Sequence, residues 1–463
     1  MFSPFLYTII IVYVSDFTND LMAFSYICIP LPRHIEESGV SSHVRGSHRY
    51  YTFVSPRRVL PHSFAADLRY RQQQNEIMPI EDIGRRKCIP ILYTRGTHYE
   101  VGYDVGRTFR GLIQNFVSIS KPLNAVFLPI YGTEAGRRVY ESTLKSVRSN
   151  FPQYVRELEG TAEGAQVPFH KLFLLHMDDI LPVAVGGKPK DNSAGCSTIC
   201  CNQPGQELLG HTEDALPEVM NHIYLVAAHI IPEAPQGRWH VSEEKFTSLC
   251  YAGHLPGFTM GYNHHGLVFS INIVNAARLV AAKTPRFFLT RALLAAENFV
   301  EAQQILRDTG TGAGDGVSVN MTFLHQDGDR MFHNAEVGPA VDGATQSGLS
   351  ILTASPGEQL FHCNKYLRLP VPEVSGLGVI SSDHRHGTAE QFGEVRNLQD
   401  VRRLLGDQSD SKFAIYRDQS HGEDIVTTVA VGIFDCIGKT WSLYTENPKI
   451  SEPIVVLPLD LKQ

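Results

Sequence analysis

The strongest constraint on the fold is a strand–turn–strand pattern that begins at a glycine–cysteine bond. Apolar and polar side chains alternate over residues 196–202, and the turn-type residues Asn202-Gln203-Pro204-Gly205 follow. The chain then returns through an extended run over 207–214. Alternation on both sides of a short turn predicts a β-hairpin. Cys196 therefore opens one strand, and Asp214 lies on the neighbouring strand.

The Gly195–Cys196 bond follows a run of small and polar residues, Asp191-Asn192-Ser193-Ala194. If this bond is cut, Cys196 gains a free α-amine with a pKa of roughly 7.7–8.0. Such an amine accepts the proton of its own thiol at neutral pH, so no separate histidine base is required. Gly195 is consistent with cleavage because a residue without Cβ tolerates a strained backbone. A small buried apolar cysteine is the alternative interpretation of the same string.

A Gly-x-x-x-Asp pattern, Gly210 to Asp214, follows on the second strand. This combination resembles the acyl-coenzyme A:6-aminopenicillanate acyltransferase family of N-terminal-nucleophile cysteine hydrolases. Longer strings are similar to members that hydrolyse N-β-alanyl biogenic amines: GTHYEVGYDVGRTF (97–110), FPQYVRELEG (151–160), VPFHKLFLLH (167–176), PGQELLGHTEDAL (204–216), CYAGHLPGFTM (250–260) and YNHHGLVFSIN (262–272). The similarity extends from about Met78 to the C-terminus.

Apolar spacing predicts helices before Cys196 and mainly strands after it. The predicted helices are 98–118, 135–150, 152–165, 168–180, 284–294, 297–308 and 398–405. The predicted strands after the hairpin are 222–231, 245–252, 258–263, 267–274, 317–325, 331–337, 427–435 and 440–446. This order of elements indicates a layered α+β fold. The resemblance implies a four-layer αββα sandwich that is cleaved into an α chain ending at Gly195 and a β chain over 196–463.

The resemblance also implies which residues form the site. Cys196 matches the nucleophile, and Asn320 matches the asparagine whose amide donates to the oxyanion. Asp214 either orients the Cys196 amine or receives a substrate ammonium group. A further set matches positions that bind substrate or carry polar side chains in the family: Ser382 (with Ser381 as the alternative), Arg385, Glu336 and Asn364.

The implied activity is hydrolysis of a β-alanyl amine, such as N-β-alanyl-dopamine or β-alanyl-histamine, through a cysteine thioester. A β-alanyl group carries a cation, which suits a pocket carboxylate such as Glu213 or Asp214. The ring of the released amine suits aromatic side chains such as Tyr251, Phe258 and Tyr262, which alternatively belong to the core. Two other functions stay open: acyl transfer from acyl-coenzyme A to an amine, and a non-catalytic binding protein that kept the fold.

Composition excludes several partners. A formal net charge of −7 gives no electrostatic case for binding nucleic acid. The eight cysteines lack paired CxxC spacing, which disfavours a zinc site and secretion and indicates a reducing, cytoplasmic location. His264-His265 and the His384-x-His386 pair lack the spacing of a catalytic zinc motif, so we expect neither a metal nor another cofactor. The expected partners are a small-molecule β-alanyl amine and the α and β chains of one precursor, with association of αβ units left open.

Residues 1–77 differ from the rest of the chain. The apolar run over 5–14 is too short to span a bilayer, and it lacks the basic start and cleavage site of a signal peptide. Residues 33–74 are rich in Arg, His, Ser and Gln without a sustained period, which is typical of disorder. We therefore expect an extension or alternative-start segment over 1–77, a single catalytic domain over 78–463 and no membrane association.

Overall fold

The computed structural model describes residues 84–187, 195–419 and 425–459. The extension expected at 1–77 lies outside these residues. The described strands form two sheets. Their bounds are β1 (Ile91–Gly96), β2 (Ser197–Gln203), β3 (Gln206–Ala215), β4 (Ile223–Ile230), β5 (Glu244–Tyr251), β6 (Met260–Asn263), β7 (Leu267–Val274), β8 (Gly316–Phe323), β9 (Phe332–Gly338), β10 (Gly348–Ala354), β11 (Glu358–His362), β12 (Thr427–Asp435), β13 (Thr440–Tyr444) and β14 (Val455–Pro458).

The larger sheet has eight strands in the order β1-β4-β5-β6-β7-β8-β9-β10, and the smaller has six in the order β11-β2-β3-β12-β13-β14. β1 and β4 run parallel. The predicted hairpin is confirmed, because β2 and β3 pair antiparallel with Ser197 opposite Thr212. Its turn is Pro204-Gly205, where Gly205 has a left-handed φ of 76° that glycine adopts without steric cost.

The helices before Cys196 are α1 (His98–Thr108), α2 (Arg110–Ile119), α3 (Leu128–Tyr131), α4 (Glu134–Asn150), α5 (Pro152–Ala165), α6 (Phe169–Leu175) and α7 (Ile180–Ala184). Those after it are α8 (Arg286–Leu293), α9 (Phe299–Arg307), α10 (Leu377–Phe392) and α11 (Leu398–Leu405). Thr97 and Glu100 form a reciprocal capping box at the start of α1. The helix predicted over 98–118 is interrupted at Phe109, whose φ of −101° and ψ of 21° leave the helical region.

Helices α1 and α5 approach closely because glycines lie on both sides of their contact. A Cβ at Gly102 would lie 1.9 Å from the carbonyl oxygen of Glu157. A Cβ at Gly160 would lie 2.2 Å from the carbonyl oxygen of Tyr99. Only a residue without a side chain permits this backbone separation.

Side chains join the two sheets. The Thr198 hydroxyl on β2 donates to the Asn272 side chain on β7 at 3.1 Å, and Tyr262 on β6 packs edge-on against Trp441 on β13. α11 packs on β2 and β3 and forms a separate apolar cluster with them. α1 contacts β1 and β4 of the larger sheet. The predicted mixed α+β class is therefore confirmed.

Most predicted strands agree with the observed bounds to within two residues. The sequence pattern did not predict β1, β10, β11, β14 or α10. No helix in the described part of the chain combines the length and the apolar character that a bilayer-spanning segment needs.

Candidate active site

Cys196 immediately precedes β2, and its side chain is buried at the wall of a cavity of about 150 Å³. Glu213, Asp214 and Asn364 line the same cavity. The hairpin brings the two carboxylates there, because the pairing of Ser197 with Thr212 sets the following residues of β3 beside the start of β2. The cavity wall at Cys196 therefore combines a thiol, two acidic groups and an amide, and Asp178 and Glu218 add two further carboxylates to the lining.

Hydrogen bonds hold the backbone of Cys196 on both sides. Its N–H donates to Oδ1 of Asn364 at 2.8 Å. Its carbonyl oxygen accepts from Nδ2 of Asn272 at 3.0 Å and from Nη1 of Arg385 at 2.8 Å. Arg385 is fully buried and also donates from Nη2 to Oδ1 of Asn364 at 2.9 Å. The main chain of the nucleophile is thus fixed by three side chains.

Gly195 lies against two guanidinium groups. A Cβ at this position would lie 2.9 Å from Nη2 of Arg385 and 2.9 Å from Nη2 of Arg417. Gly195 is not among the glycines with positive φ, so the strained backbone expected from the sequence does not explain why glycine stands here. The reason is space, since a side chain would meet two buried cations.

The Glu213 carboxylate lies between the thiol and a polar chain of side chains. Its Oε1 is 3.9 Å from Sγ of Cys196 and accepts a hydrogen bond from the Tyr251 hydroxyl. Its Oε2 is 3.0 Å from Nε2 of His211, and Nδ1 of His211 is 2.8 Å from the Thr198 hydroxyl. These contacts fix both carboxylate oxygens.

Asp214 has a different set of partners. Its Oδ1 accepts from the Thr428 hydroxyl at 2.6 Å, and Nε of Arg417 lies 3.5 Å from Oδ2. The pairing of β3 with β12 shifts register between Thr428 and Ala430, opposite Asp214 and Glu213. A bulge redirects side chains near it, and two consecutive carboxylates of one strand both line the cavity here.

Burial raises the pKa of the Cys196 thiol well above its ordinary value, and the charges of Glu213 and Asp214 raise that pKa further. The backbone N–H of Asp214 and the Arg385 guanidinium lower the pKa but do not outweigh these effects. The thiol of the uncleaved chain is therefore protonated at neutral pH. The thiol must therefore give up this proton in the course of any attack on a carbonyl carbon.

Asn320 lies one hydrogen bond away from the groups that contact Cys196. Its Nδ2 donates to Oδ1 of Asn272 at 2.7 Å, and its Oδ1 accepts from Nδ2 of Asn334 at 2.7 Å. The described cavity lining includes Asn364 and does not include Asn320. The oxyanion role of Asn320 stays a prediction. Asn364 does line the cavity, and its Nδ2 donates to the carbonyl oxygen of Ile273 at 2.9 Å.

Ser381, Ser382 and Arg385 lie on α10, and none of them is among the described residues that line the cavity. The Ser382 hydroxyl accepts from the backbone N–H of Asn364 at 3.1 Å, and the Ser381 hydroxyl accepts from Nη2 of Arg417 at 2.6 Å. Their contacts suit positioning of the nucleophile and its neighbours rather than direct contact with a substrate.

Glu336 anchors a loop. Its carboxylate accepts from the backbone N–H groups of Leu367, Arg368 and Leu369. Burial would raise the pKa of Glu336, but the His362 ring and these backbone groups lower it to about 2. Glu336 therefore has a structural explanation that does not involve substrate.

Sequence reasoning missed several residues of the site. Asn272 contacts Cys196, and its polar side chain interrupts the apolar run of β7 together with Ser270. That pattern of polar residues inside a buried strand is the signal that could have identified Asn272. Arg417 lies in a segment without helix or strand, and no sequence signal marks it.

The remaining cavity wall is largely apolar and aromatic. The rings that line it include Phe116, Phe127, Tyr251, Phe258 and Phe287, together with His254. Of the three aromatic residues considered from the sequence, Tyr251 and Phe258 line this cavity. The Tyr262 hydroxyl instead donates to the Pro458 carbonyl oxygen at 2.7 Å.

The donor atoms of Cys196, His211 and Glu213 lie within 4.8 Å of one another, which is close enough to hold a metal ion. All three residues are buried, and His211 and Glu213 are already paired with each other. The absence of a metal cofactor stays a prediction.

The chain matches the family described as acyl-coenzyme A:6-aminopenicillanic acid acyl-transferase over residues 201–450. Because this match covers more than half of the chain, the chain belongs to that family, as its motifs predicted. A Drosophila melanogaster protein named beta-alanyl-dopamine/carcinine hydrolase is 51% identical over 377 residues. The alignment covers 81% of this chain and 97% of the relative.

Proposed function

We propose that this chain is a self-processing cysteine amidohydrolase that releases β-alanine from β-alanyl amines. The main observation behind the proposal is the position of the Gly195–Cys196 bond: both residues line a cavity whose wall also holds carboxylates and aromatic rings, and the Cys196 side chain is buried there. The substrate class is supported by the 51% identity to the Drosophila hydrolase. A cavity with acidic and aromatic walls suits a cationic acyl group on a ring-bearing amine.

Processing begins at the peptide bond itself. Sγ of Cys196 attacks the Gly195 carbonyl carbon, the C–N bond breaks, and the thiol proton passes to the released α-amine. Water then hydrolyses the thioester, which frees the Gly195 carboxylate and restores the thiol. The guanidinium groups of Arg385 and Arg417 lie beside Gly195, and positive charge next to this residue supports the step because it stabilises the negative charge that develops on the attacked carbonyl.

The new α-amine of Cys196 then acts as the base for turnover. It takes the thiol proton, Sγ attacks the amide carbonyl of the substrate, and the amine leaves with a proton. Water hydrolyses the resulting thioester to release β-alanine. Asn364 contributes at two points. Its Oδ1, which accepts from the backbone N–H of Cys196 in the uncut chain, accepts from the new α-amine. Its Nδ2 donates one N–H to the Ile273 carbonyl oxygen, and its second N–H is assigned to the oxyanion.

Glu213 receives the β-alanyl ammonium group. The ammonium nitrogen is three bonds from the scissile carbonyl carbon, a reach of about 4 Å. The Glu213 carboxylate lies 3.9 Å from Sγ, so it is within that reach of an attacked carbonyl. Asp214, held by Thr428 and Arg417, is assigned to orienting the Cys196 amine.

The proposed fold is the four-layer αββα sandwich of N-terminal-nucleophile hydrolases. It is supported by the side chains that join the two sheets and by helices that pack on each of them. The proposed catalytic domain spans 78–463. A chain starting at Met78 should therefore retain full activity and the same urea midpoint, and aggregation or lost activity of that chain would reject the boundary.

The function is tested by incubating purified protein with N-β-alanyl-dopamine and measuring released β-alanine. Cys196→Ala should abolish release, whereas Cys88→Ala should not, because Cys88 is exposed and lies outside the site. Both cysteines are free thiols. A parallel incubation with an acyl-coenzyme A and dopamine tests acyl transfer, which the family description favours. Transfer without hydrolysis would replace the proposal with the acyltransferase, and inactivity in both assays would indicate a binding protein.

A further inference from the structure

One part of the cavity wall is built around a single imidazole. His254 lines the cavity together with Phe258 and Phe287. The His254 ring centroid lies 6.1 Å from that of Phe258 at an interplanar angle of 13°, and 5.4 Å from that of Phe287 at 27°. Tyr251 meets the His254 ring edge-on, with centroids 5.7 Å apart. The imidazole is therefore part of an aromatic wall.

His254 retains one nitrogen for a ligand. Its Nδ1 lies 3.3 Å from the Ala252 carbonyl oxygen, and because a carbonyl only accepts, Nδ1 carries the proton. Burial, with a smaller effect of His176, lowers the pKa of His254 to about 3. The ring is neutral at physiological pH, and Nε2 is an acceptor with no hydrogen-bond partner among the residues that the structure describes.

The loop that carries His254 is fixed by hydrogen bonds of the residues that directly follow it. The backbone N–H of Leu255 donates to Nε2 of His176 at 3.0 Å, and the N–H of Gly257 donates to the Ser248 hydroxyl at 2.9 Å. Gly257 has a φ of 93°, a backbone conformation that residues with a side chain rarely adopt. A loop held in this way positions the imidazole in advance, and preorganisation favours binding.

We infer that His254 and the adjoining rings form a subsite for the amine half of the substrate, which selects flat rings carrying a hydrogen-bond donor. The substrate ring packs against Phe258 and Phe287, and its O–H or N–H donates to Nε2 of His254. A phenol, a catechol and an imidazole have this chemistry, whereas a phenyl ring does not. The inference rests on the proposed hydrolase function and adds to it a selectivity for the ring of the released amine.

Tyr251 links this subsite to the acyl end of the cavity. Its hydroxyl donates to Glu213, and its ring contacts His254 and Phe258. One side chain therefore connects the carboxylate assigned to the ammonium with the wall assigned to the ring. A substrate with a cation at one end and a ring at the other matches this order.

The test compares β-alanyl-dopamine with β-alanyl-phenethylamine, which lacks the ring hydroxyls. Wild-type kcat/KM should be about 10- to 100-fold higher for β-alanyl-dopamine, because the donor-free ring leaves a desolvated acceptor unpaired. His254→Phe keeps an aromatic ring in the wall but removes the acceptor. This variant should lose most of that preference, because its kcat/KM for β-alanyl-dopamine should fall about 10-fold further than its kcat/KM for β-alanyl-phenethylamine.

Two variants separate recognition from packing. Phe258→Leu removes ring surface without touching the acceptor, so it should weaken both amides alike. His254→Gln keeps an acceptor oxygen and should restore part of the preference for β-alanyl-dopamine. If His254→Phe fails to fold, the wild-type comparison of the two amides and the His254→Gln variant carry the test.

Equal kcat/KM for both amides in the wild type would overturn the subsite, and so would equal losses on both amides in His254→Phe. After either outcome, hydrolysis of β-alanyl-phenethylamine by the wild type would still support the proposed hydrolase function. Failure of the wild type to hydrolyse either amide would instead reject the proposed function.

Discussion

Two buried clusters of charged side chains differ in what surrounds them. The closed cluster consists of His98, Glu157, Glu244 and Arg291, and it joins α1, α5, α8 and β5. The open cluster consists of Glu213, Asp214, Arg385 and Arg417 around Cys196. None of the closed cluster's residues lines the cavity at Cys196, whereas both carboxylates of the open cluster do.

Each group of the closed cluster meets an opposite charge at short range. Arg291 contacts Glu157 at 2.7 Å and Glu244 at 2.6 Å. His98 lies 3.0 Å from Glu157 and 3.3 Å from Glu244. Burial would raise the pKa of Glu244, but Arg291 and His98 lower it to about 2. The two carboxylates are thus matched by one guanidinium and one protonated imidazole.

The open cluster surrounds a reactive bond instead. Its guanidinium groups lie against Gly195 and the Cys196 carbonyl, and its carboxylates face the cavity with the thiol. The closed cluster holds a lowered carboxyl pKa at Glu244 and the open cluster surrounds a raised thiol pKa at Cys196, so perturbed pKa values alone do not distinguish a site from a structural network. The distinction comes from access: one cluster adjoins a cavity and a nucleophile, and the other does not.

The largest expected effect on folding comes from breaking the closed cluster. Arg291→Met leaves two buried carboxylates without their guanidinium, which should lower the free energy of unfolding by about 3–5 kcal/mol. Urea unfolding measures this change. Arg278→Met is the matched control, because Arg278 forms an exposed pair with Asp342 and should leave the urea midpoint unchanged. Equal losses in the two variants would remove the distinction between buried and exposed pairs.

In the open cluster, the largest expected effect is on catalysis. Asn364→Ala should lower kcat by about 10²–10³ with little change in KM, because an oxyanion donor acts mainly in the transition state. Asn320→Ala should lower kcat less, since Asn320 reaches Cys196 only through Asn272. Steady-state kinetics of both variants decide the assignment, and the reverse order would return the oxyanion role to Asn320.

The two carboxylates of the open cluster should separate in their kinetic effects. Glu213→Gln should raise KM for a β-alanyl amine by about 10- to 100-fold, because a hydrogen bond between charged groups is lost. The loss should nearly vanish for an N-acetyl amine, which has no ammonium group. Asp214→Asn should instead lower kcat for both amides. If Asp214→Asn shows the KM effect and Glu213→Gln does not, the two assignments must be exchanged.

The smallest expected effect is the pH dependence of the closed cluster. Burial lowers the pKa of His98, but Glu244 and Glu157 outweigh burial and raise that pKa overall. The stabilisation is complete below the unfolded pKa of about 6.5 and is lost as pH rises through the higher folded pKa, by at most about 1.4 kcal/mol per pH unit. Urea midpoints measured against pH should show this decline in the wild type and not in His98→Gln. Identical slopes would contradict a protonated His98.

The sequence predicted those parts of the fold that local patterns determine. The hairpin over 196–214 followed from alternation and a Pro-Gly turn, and most other strands followed from short apolar runs. Helix α10 was missed because its residues include Gly378, Gly387 and several Ser and His residues, which are weak helix formers. Tertiary contacts stabilise it, as in the bonds from Arg385 to the backbone of Cys196.

The site was predictable where residues follow one another along the hairpin. Cys196 and Asp214 came from one motif, and Glu213 came with them. Asn272 and Arg417 reach the site from β7 and from an irregular segment. Whether these two side chains lie near Cys196 depends on how the two sheets pack, and no local sequence pattern encodes that packing. The site residues that sequence reasoning missed are therefore mainly those that are near Cys196 in space but distant from it in the sequence.

The most direct test of the account is the intact mass of freshly purified wild-type protein, with N-terminal sequencing of each species. Cleavage at the open cluster predicts two chains, one of which begins Cys196-Ser197-Thr198 and ends at Gln463. Cys196→Ala should give a single uncut chain, and Arg291→Met that still folds should be cut like the wild type. A wild-type chain that stays intact while hydrolysing N-β-alanyl-dopamine would contradict the N-terminal nucleophile.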